Sequence, residues 1–384
     1  MQHIYLDNAA TTPMAPEVIQ TMTDQMQHDF GNASWFGREA HTVMDKSRKV
    51  LADSIHAQPG EIVITSGATE SNNTAITQTA HAHASLGKHI ITTAIEHPSV
   101  LQPLKALEKE GYRVTYLPVD ENGRIRLADF DAALDDDTIL VTIMMGNNEV
   151  GSRMPISEIG ARLVDHQAWF HTDATQAYGL LDIDVNAPQI DMLSVSAHKI
   201  NGPKGIGFLY RDPKVQFPAL LKGGEQELKR RAGTENIAGI AGFASAVKLI
   251  TPEEKAKRQS KYLGFKQQIM TALDDAEVPY AVNGDIRPDN VNHVFNLWLK
   301  GISTYALQTN LDLAGIAVSG GSACTAGSLE PSHVLTAMFG GDSPRLGESI
   351  RVSFGGQTTA DDIQAFIDTL LPIIKRLTAK QTSR

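Results

Sequence analysis

Short apolar, β-branched runs recur through the first two thirds of this chain, at 62–65, 89–92, 114–117, 139–144, 168–171, 192–195 and 206–210. Runs of this kind read as strands. Between most of them lie stretches with helical spacing, such as 70–84 and 100–110. Strand and helix alternating in this way predict an α/β fold with a mostly parallel sheet covered on both faces. Ligands of such sheets sit at the carboxyl ends of the strands, and the polar motifs of this chain follow strand ends. A long polar helical segment at 252–274 leads into shorter strands at 292–298, 317–319 and 349–354. These predict a second, smaller α+β domain. The expected division is a large domain of residues 15–250 and a small one made of 1–14 and 251–384. The chain has no internal repeat, no low-complexity tract, no P-loop and no dinucleotide fingerprint.

Composition narrows the class. With 384 residues, 42% hydrophobic and 20% charged, the chain is long enough for a large core. A net charge of −10 argues against a broad nucleic-acid footprint, and Lys229-Arg230-Arg231 is too short a cluster to reverse that. Any phosphate it binds is therefore expected to be small. No run of about 18 apolar residues is present to cross a bilayer, and the opening residues lack the basic and apolar regions of a signal peptide. The expected location is cytoplasmic. The single cysteine, Cys324, has no intramolecular disulfide partner and cannot build a cysteine zinc site, which leaves an inert core residue or a reactive thiol.

Lys199 lies in Ser196-Ala197-His198-Lys199-Ile200-Asn201-Gly202-Pro203-Lys204-Gly205, between small polar residues and a glycine-rich turn. A lysine with cationic or apolar neighbours has its pKa lowered and becomes a nucleophile able to form a Schiff base. A phosphate-bearing aldehyde would suit it, with Ser196 and His198 as phosphate ligands; a solvated turn lysine is the alternative. Ser66-Gly67-Ala68-Thr69-Glu70 opens a helix after a strand, where free N–H groups at Ala68 and the Thr69 hydroxyl suit a phosphate or simply cap the helix. His97, in a loop after a strand, can lie against an aromatic cofactor and move protons, although most loop histidines do neither. Asn147-Asn148-Glu149-Val150-Gly151 offers amides to a substrate, or is a turn. Asp173 has an evident use if the cofactor is pyridoxal phosphate, because a carboxylate keeps the ring nitrogen protonated. Gln176, one helical turn on, could then reach the ring's phenolic oxygen. A metal site from His171 with Asp173, or from His81 with His83, lacks a third ligand. Thr234, in Arg231-Ala232-Gly233-Thr234-Glu235-Asn236, could close a phosphate site, even from a neighbouring subunit.

Cys324 sits among Ser, Gly, Ala and Thr, with no bulky apolar residue to bury it. Cysteine is by default a small buried hydrophobe, so this loop favours a functional thiol. Arg351, charged in an otherwise apolar run, presents donors in a fork that suits a substrate carboxylate, or keeps its head in water at a strand edge.

Together, and in order, Tyr5-Leu6-Asp7-Asn8-Ala9-Ala10-Thr11-Thr12-Pro13, 66–73, Glu96-His97, 147–151, 173–176, 196–205, 231–236 and Gly321-Ser322-Ala323-Cys324-Thr325 resemble cysteine desulfurases of the NifS/IscS type. The Ser-Ala-Cys-Thr loop is similar to the family's first group, with a long cysteine loop. Two stretches depart from the family pattern: Gly31-Asn32-Ala33-Ser34-Trp35-Phe36-Gly37 is shorter, and Ser353-Phe354-Gly355-Gly356 lacks the second arginine that often follows Arg351.

The resemblance implies a pyridoxal-phosphate fold type I enzyme, aspartate-aminotransferase-like, working as a homodimer with sites at the subunit interface. It implies Lys199, Cys324 and His97 as catalytic residues. Ala68, Thr69, His97, Asp173, Gln176, Ser196, His198, Lys199 and Thr234 would hold pyridoxal 5′-phosphate, and Asn148 and Arg351 the L-cysteine substrate; no metal is implied. Sulfur would pass from a persulfide on Cys324 to an acceptor protein. The chain ends 33 residues after Arg351, shorter than relatives whose tail docks an iron–sulfur scaffold, so a tRNA-thiolating enzyme is the expected acceptor ahead of such a scaffold. A selenocysteine lyase, a pyridoxal-phosphate aminotransferase and a sulfur-carrier platform are the competing readings.

Overall fold

The computed structural model describes residues 3–28, 35–187, 189–320 and 331–382. Its strands are β1 (Ile4–Tyr5), β2 (Ile62–Thr65), β3 (His89–Thr93), β4 (Arg113–Leu117), β5 (Thr138–Thr142), β6 (Trp169–Asp173), β7 (Met192–Ser196), β8 (Gly207–Arg211), β9 (Tyr280–Val282), β10 (Val294–Leu299), β11 (Ile316–Ala317) and β12 (Ser349–Ser353). Seven of them form one sheet in the order β2-β8-β7-β6-β5-β3-β4. Every residue of β3, β5, β7 and β8 is buried, as expected of strands covered on both faces, whereas the edge strand β4 begins exposed.

The two faces feed different apolar clusters because side chains alternate along a strand. Leu193, Val195, Phe208 and Phe170 pack with Val18, Leu51 and Phe243 from the helices Pro16–His28, Trp35–Asp53 and Ile237–Lys248, and with Ile55 just past the second of these. Met192, Leu209, Ile90 and Leu140 face Ala75, Ile76, Val100 and Leu104 on the other side. The sheet is parallel except for β8, which runs antiparallel to both β7 and β2. The stretch 197–206 is too short for the crossover that a parallel partner needs, so the chain turns back.

A third cluster lies apart. Phe295, Leu297, Ile350 and Val352, from the antiparallel sheet β12-β10-β9, pack with Tyr262, Phe265 and Ile269 of the helix Pro252–Asp275 and with Phe366 and Leu370 of the helix Ala360–Thr382. Thr251 caps the first of these helices by accepting from the Glu254 N–H, with Pro252 at its first position. The chain start joins this unit: β1 pairs parallel with β11, and Asp7 bridges Ser353.

One close approach sets the sheet's fit to the site. A Cβ on Gly207 would press into the Val195 carbonyl and come within 2.8 Å of the Gly67 Cα. Backbone cannot yield there as a side chain can. Gly207→Ala is therefore expected to destabilise the protein by about 1–3 kcal/mol or more through overpacking, read as a lowered urea midpoint; an unchanged midpoint would contradict this contact.

Candidate active site

The carboxyl ends of β2, β3, β5, β6 and β7 open into a cavity of about 480 Å³, lined among others by Ala68, Thr69, His97, Asn148, Asp173, Gln176, Ser196, His198, Lys199, Lys204 and Arg351. After β2 the chain passes through Gly67, whose φ of 145° a side chain would resist, and starts a helix at Ala68. That helix continues through a π-type turn at Thr74–Gln78.

After β3, His97 caps the helix Pro98–Lys109. Its Nδ1 accepts from the Ser99 N–H at 3.1 Å and lies 2.7 Å from the Ser99 hydroxyl, which leaves Nε2 to carry the proton of the neutral ring. Burial, then the Lys199 charge, lower its pKa while Asp173 opposes them. Both Asp173 oxygens are held: Asn72 Nδ2 donates to Oδ2 at 2.7 Å and the Thr175 N–H to Oδ1 at 2.9 Å. The same Asn72 amide donates to Ser99 Oγ at 2.9 Å, so one side chain ties the carboxylate to the loop of His97.

Lys199 ends a short 3₁₀ turn after β7, and its Nζ donates to the carbonyls of Ala9 and Ala10 at 2.6 and 2.7 Å. Arg351, at the centre of β12, is 1% exposed. It is not the strand-edge arginine with its head in water: Nη2 pairs with Asp7 Oδ1 at 2.7 Å and Nη1 donates to the Asn148 carbonyl at 2.9 Å. Its buried Nε has no partner among the described residues.

One predicted residue stands elsewhere. Within one chain Thr234 is not brought to this cavity; it lines a smaller one of about 70 Å³ that shares Ser66 and Gly205 with it. Cys324 and the stretch 31–34 lie outside the described residues.

Residues 4–366 match the aminotransferase class-V family. The chain belongs to that family. A Bacillus subtilis (strain 168) protein, provisionally named cysteine desulfurase IscS 1, is 52% identical, covering 98% of this chain and 100% of that protein. The cysteine desulfurase IscS of Dictyoglomus turgidum is 41% identical over 98% of this chain and 95% of its own length. Among solved structures, a NifS-like protein superposes with a TM-score of 0.90 at 31% identity, covering 98% of this chain and 100% of that one. A second, SspA in complex with cysteine, gives 0.79 at 34% identity over 93% and 100%. The fold is thus that of NifS-like fold type I enzymes, as expected.

The family's cofactor is pyridoxal 5′-phosphate, and the cavity's donor set fits it. Ser196, His198, Lys204, the Thr69 hydroxyl and the helix start at Ala68 supply donors and positive charge for a phosphate, while Asp173 supplies a carboxylate for a pyridine nitrogen. The Thr175 hydroxyl, also lining the cavity, is buried without a partner among the described residues. Asn72, Asp7 and His293, whose Nε2 lies 2.7 Å from Gln176 Oε1, carry no role readable from sequence. Asn72 and Asp7 fall within the family-like motifs, but only the fold shows what they touch.

The buried titratable groups set a pH optimum for stability. Burial pushes His198 down to about 4 and His293 to about 3, and lowers His97 and His171 as well. The unfolded chain takes up those protons near 6.5, so stability falls as pH drops below that value. Glu96, pushed up by burial to about 8, and Asp191, to about 6, act oppositely: their contribution is complete below the ordinary carboxylate value and is lost as pH rises to their folded values. The thermal midpoint should peak between about pH 6 and 7. A flat midpoint from about pH 5 to 8 would contradict this balance.

Proposed function

We propose that the protein is a cysteine desulfurase that takes sulfur from L-cysteine and releases L-alanine. The observation that carries this is Lys199, whose side chain lines the same cavity as His97, Asp173, Gln176 and Arg351, in a chain 41% and 52% identical to proteins with cysteine desulfurase names. Bound there, pyridoxal 5′-phosphate supplies an electron sink for the bonds at the substrate's Cα and Cβ.

In this reading Lys199 Nζ anchors the cofactor, and later takes the Cα proton. Asp173 holds a proton on the ring nitrogen, and Asn72 and the Thr175 N–H keep the carboxylate aimed. His97 would face the ring and would hold or move a proton at Nε2. Gln176 donates to the phenolic oxygen, and Ala68, Thr69, Ser196 and His198 bind the phosphate, with Thr234 completing that site from a second copy in a homodimer. Arg351 and Asn148 bind the substrate carboxylate, with Asp7 as the guanidinium's intramolecular partner. The Cys324 thiolate attacks the substrate sulfur: an S–S bond forms as the Cβ–S bond breaks, the carbon fragment takes up a proton and leaves as L-alanine, and the sulfur stays as a persulfide. Reduced thiols are needed throughout, which fits the cytoplasm.

The acceptor is a tRNA-thiolating enzyme or an iron–sulfur scaffold protein. We read residues 15–250 as the cofactor-binding unit and 1–14 with 251–384 as the smaller one, a reading supported by the separate apolar cluster around Phe295 and Phe366. Aminotransferase chemistry would leave Cys324 without a use, and relative rates on cysteine and selenocysteine separate the lyase alternative.

Two variants test these roles. Borohydride should fix the cofactor covalently to the wild-type protein and not to Lys199→Ala; covalent cofactor in the variant would remove Lys199 from its role. Cys324→Ser should keep the cofactor's absorption yet lose alanine formation by about a hundredfold or more. Alanine production at the wild-type rate would overturn the thiol's role.

A further inference from the structure

His293 precedes β10 and is buried beside the cavity, outside every motif. Its Nε2 lies 2.7 Å from Gln176 Oε1. The other end of that amide decides which atom donates. Gln176 Nε2 donates to the Ala9 carbonyl at 3.1 Å, and a carbonyl only accepts, so Oε1 faces the imidazole and His293 carries its proton on Nε2. Burial, with Lys266, Lys199 and Arg351 adding to it, holds the ring neutral, so only one nitrogen is protonated. Nδ1 is then a bare acceptor without a partner among the described residues, and the Thr175 hydroxyl is likewise unpaired among them. Both residues line a cavity of about 30 Å³ that Gln176 and Lys199 also touch. Space of that size between two unpaired polar atoms suits one bound water, which would hold the ring from its far side.

We propose that His293 is the positioning residue of Gln176, locking its amide between the imidazole N–H and the Ala9 carbonyl so that the second Nε2 hydrogen faces the large cavity. Gln176 lines that cavity as well as the small one. The inference rests on the reading of Gln176 as the partner of the cofactor's phenolic oxygen. A fixed N–H there favours the deprotonated oxygen, whereas an amide free to turn presents Oε1, which repels it. His293 thus acts on the cofactor's protonation without touching it.

The test titrates the visible band of the bound cofactor in the wild-type holoenzyme and in His293→Leu, His293→Gln and Gln176→Leu. Removing the donor should raise the band's midpoint by about half to one pH unit in His293→Leu and Gln176→Leu alike, the size of one neutral hydrogen bond. His293→Gln, which keeps a donor, should stay near wild type. A shift in Gln176→Leu with none in His293→Leu overturns the proposal, as does an equal shift in both His293 variants, which would mean packing rather than donation. No shift in Gln176→Leu itself sinks instead the reading of Gln176. Should His293→Leu fail to fold, ¹⁵N NMR of the histidine-labelled wild-type holoenzyme decides. The His293 signal, identified by its loss in His293→Gln, is expected as the Nε2–H tautomer, and an Nδ1–H tautomer overturns the proposal.

Discussion

The carbonyl oxygen of Ala9 accepts from Lys199 Nζ at 2.6 Å and from Gln176 Nε2 at 3.1 Å, and the site is arranged around that shared acceptor. The turn that presents it touches both the three-stranded sheet and the segment after β7. Leu6 belongs to the apolar cluster around Phe295 and Phe366, Asp7 holds the Arg351 guanidinium, and Asn8 donates to the carbonyls of Tyr5 and Ser353. Thr12 continues the connection by accepting from the Asn201 N–H and donating to the His198 carbonyl. A lysine in the turn after β7, an amide after β6 and an arginine on β12 are thereby registered to one stretch of backbone. Charge-assisted bonds in a partly buried place are strong enough to fix such a register.

Much of this was legible in the sequence because it is local. The run at 139–144 signals β5 through its β-branched residues, and the strand occupies Thr138–Thr142; just past its end, Met144 leaves the ladder to donate its N–H to the buried Glu96 Oε1. Lys199, Asp173 and His97 are readable because each lies at or just past a strand end, and strand ends of a parallel sheet converge. The antiparallel turn of β8 was not readable from its apolar pattern, which a parallel strand shares; only the short connection dictates it.

Other parts were illegible because the partner lies far along the chain. Asp7 and Arg351 are 344 residues apart, and Gln176 and His293 are 117 apart. No periodicity announces such pairs, since their spacing is set by how distant elements pack together and not by the geometry of any one element. The sequence allows Arg351 two fates, water or a ligand; the fold gives it a third, an internal carboxylate. Asn72 stands in a family-like motif, yet its task of holding Asp173 depends on the short helix Ala68–Asn73 packing across β7 and β8, next to β6.

Sulfur transfer is the central claim, and one turnover reads it most directly. The holoenzyme is mixed with L-cysteine in the absence of reductant, and the peptides are then mapped by mass spectrometry. The account predicts one extra sulfur atom on the peptide that contains Cys324, with one L-alanine released per persulfide formed. Alanine released with sulfur on no cysteine of the protein, or pyruvate and free sulfide in place of alanine and persulfide, would contradict it.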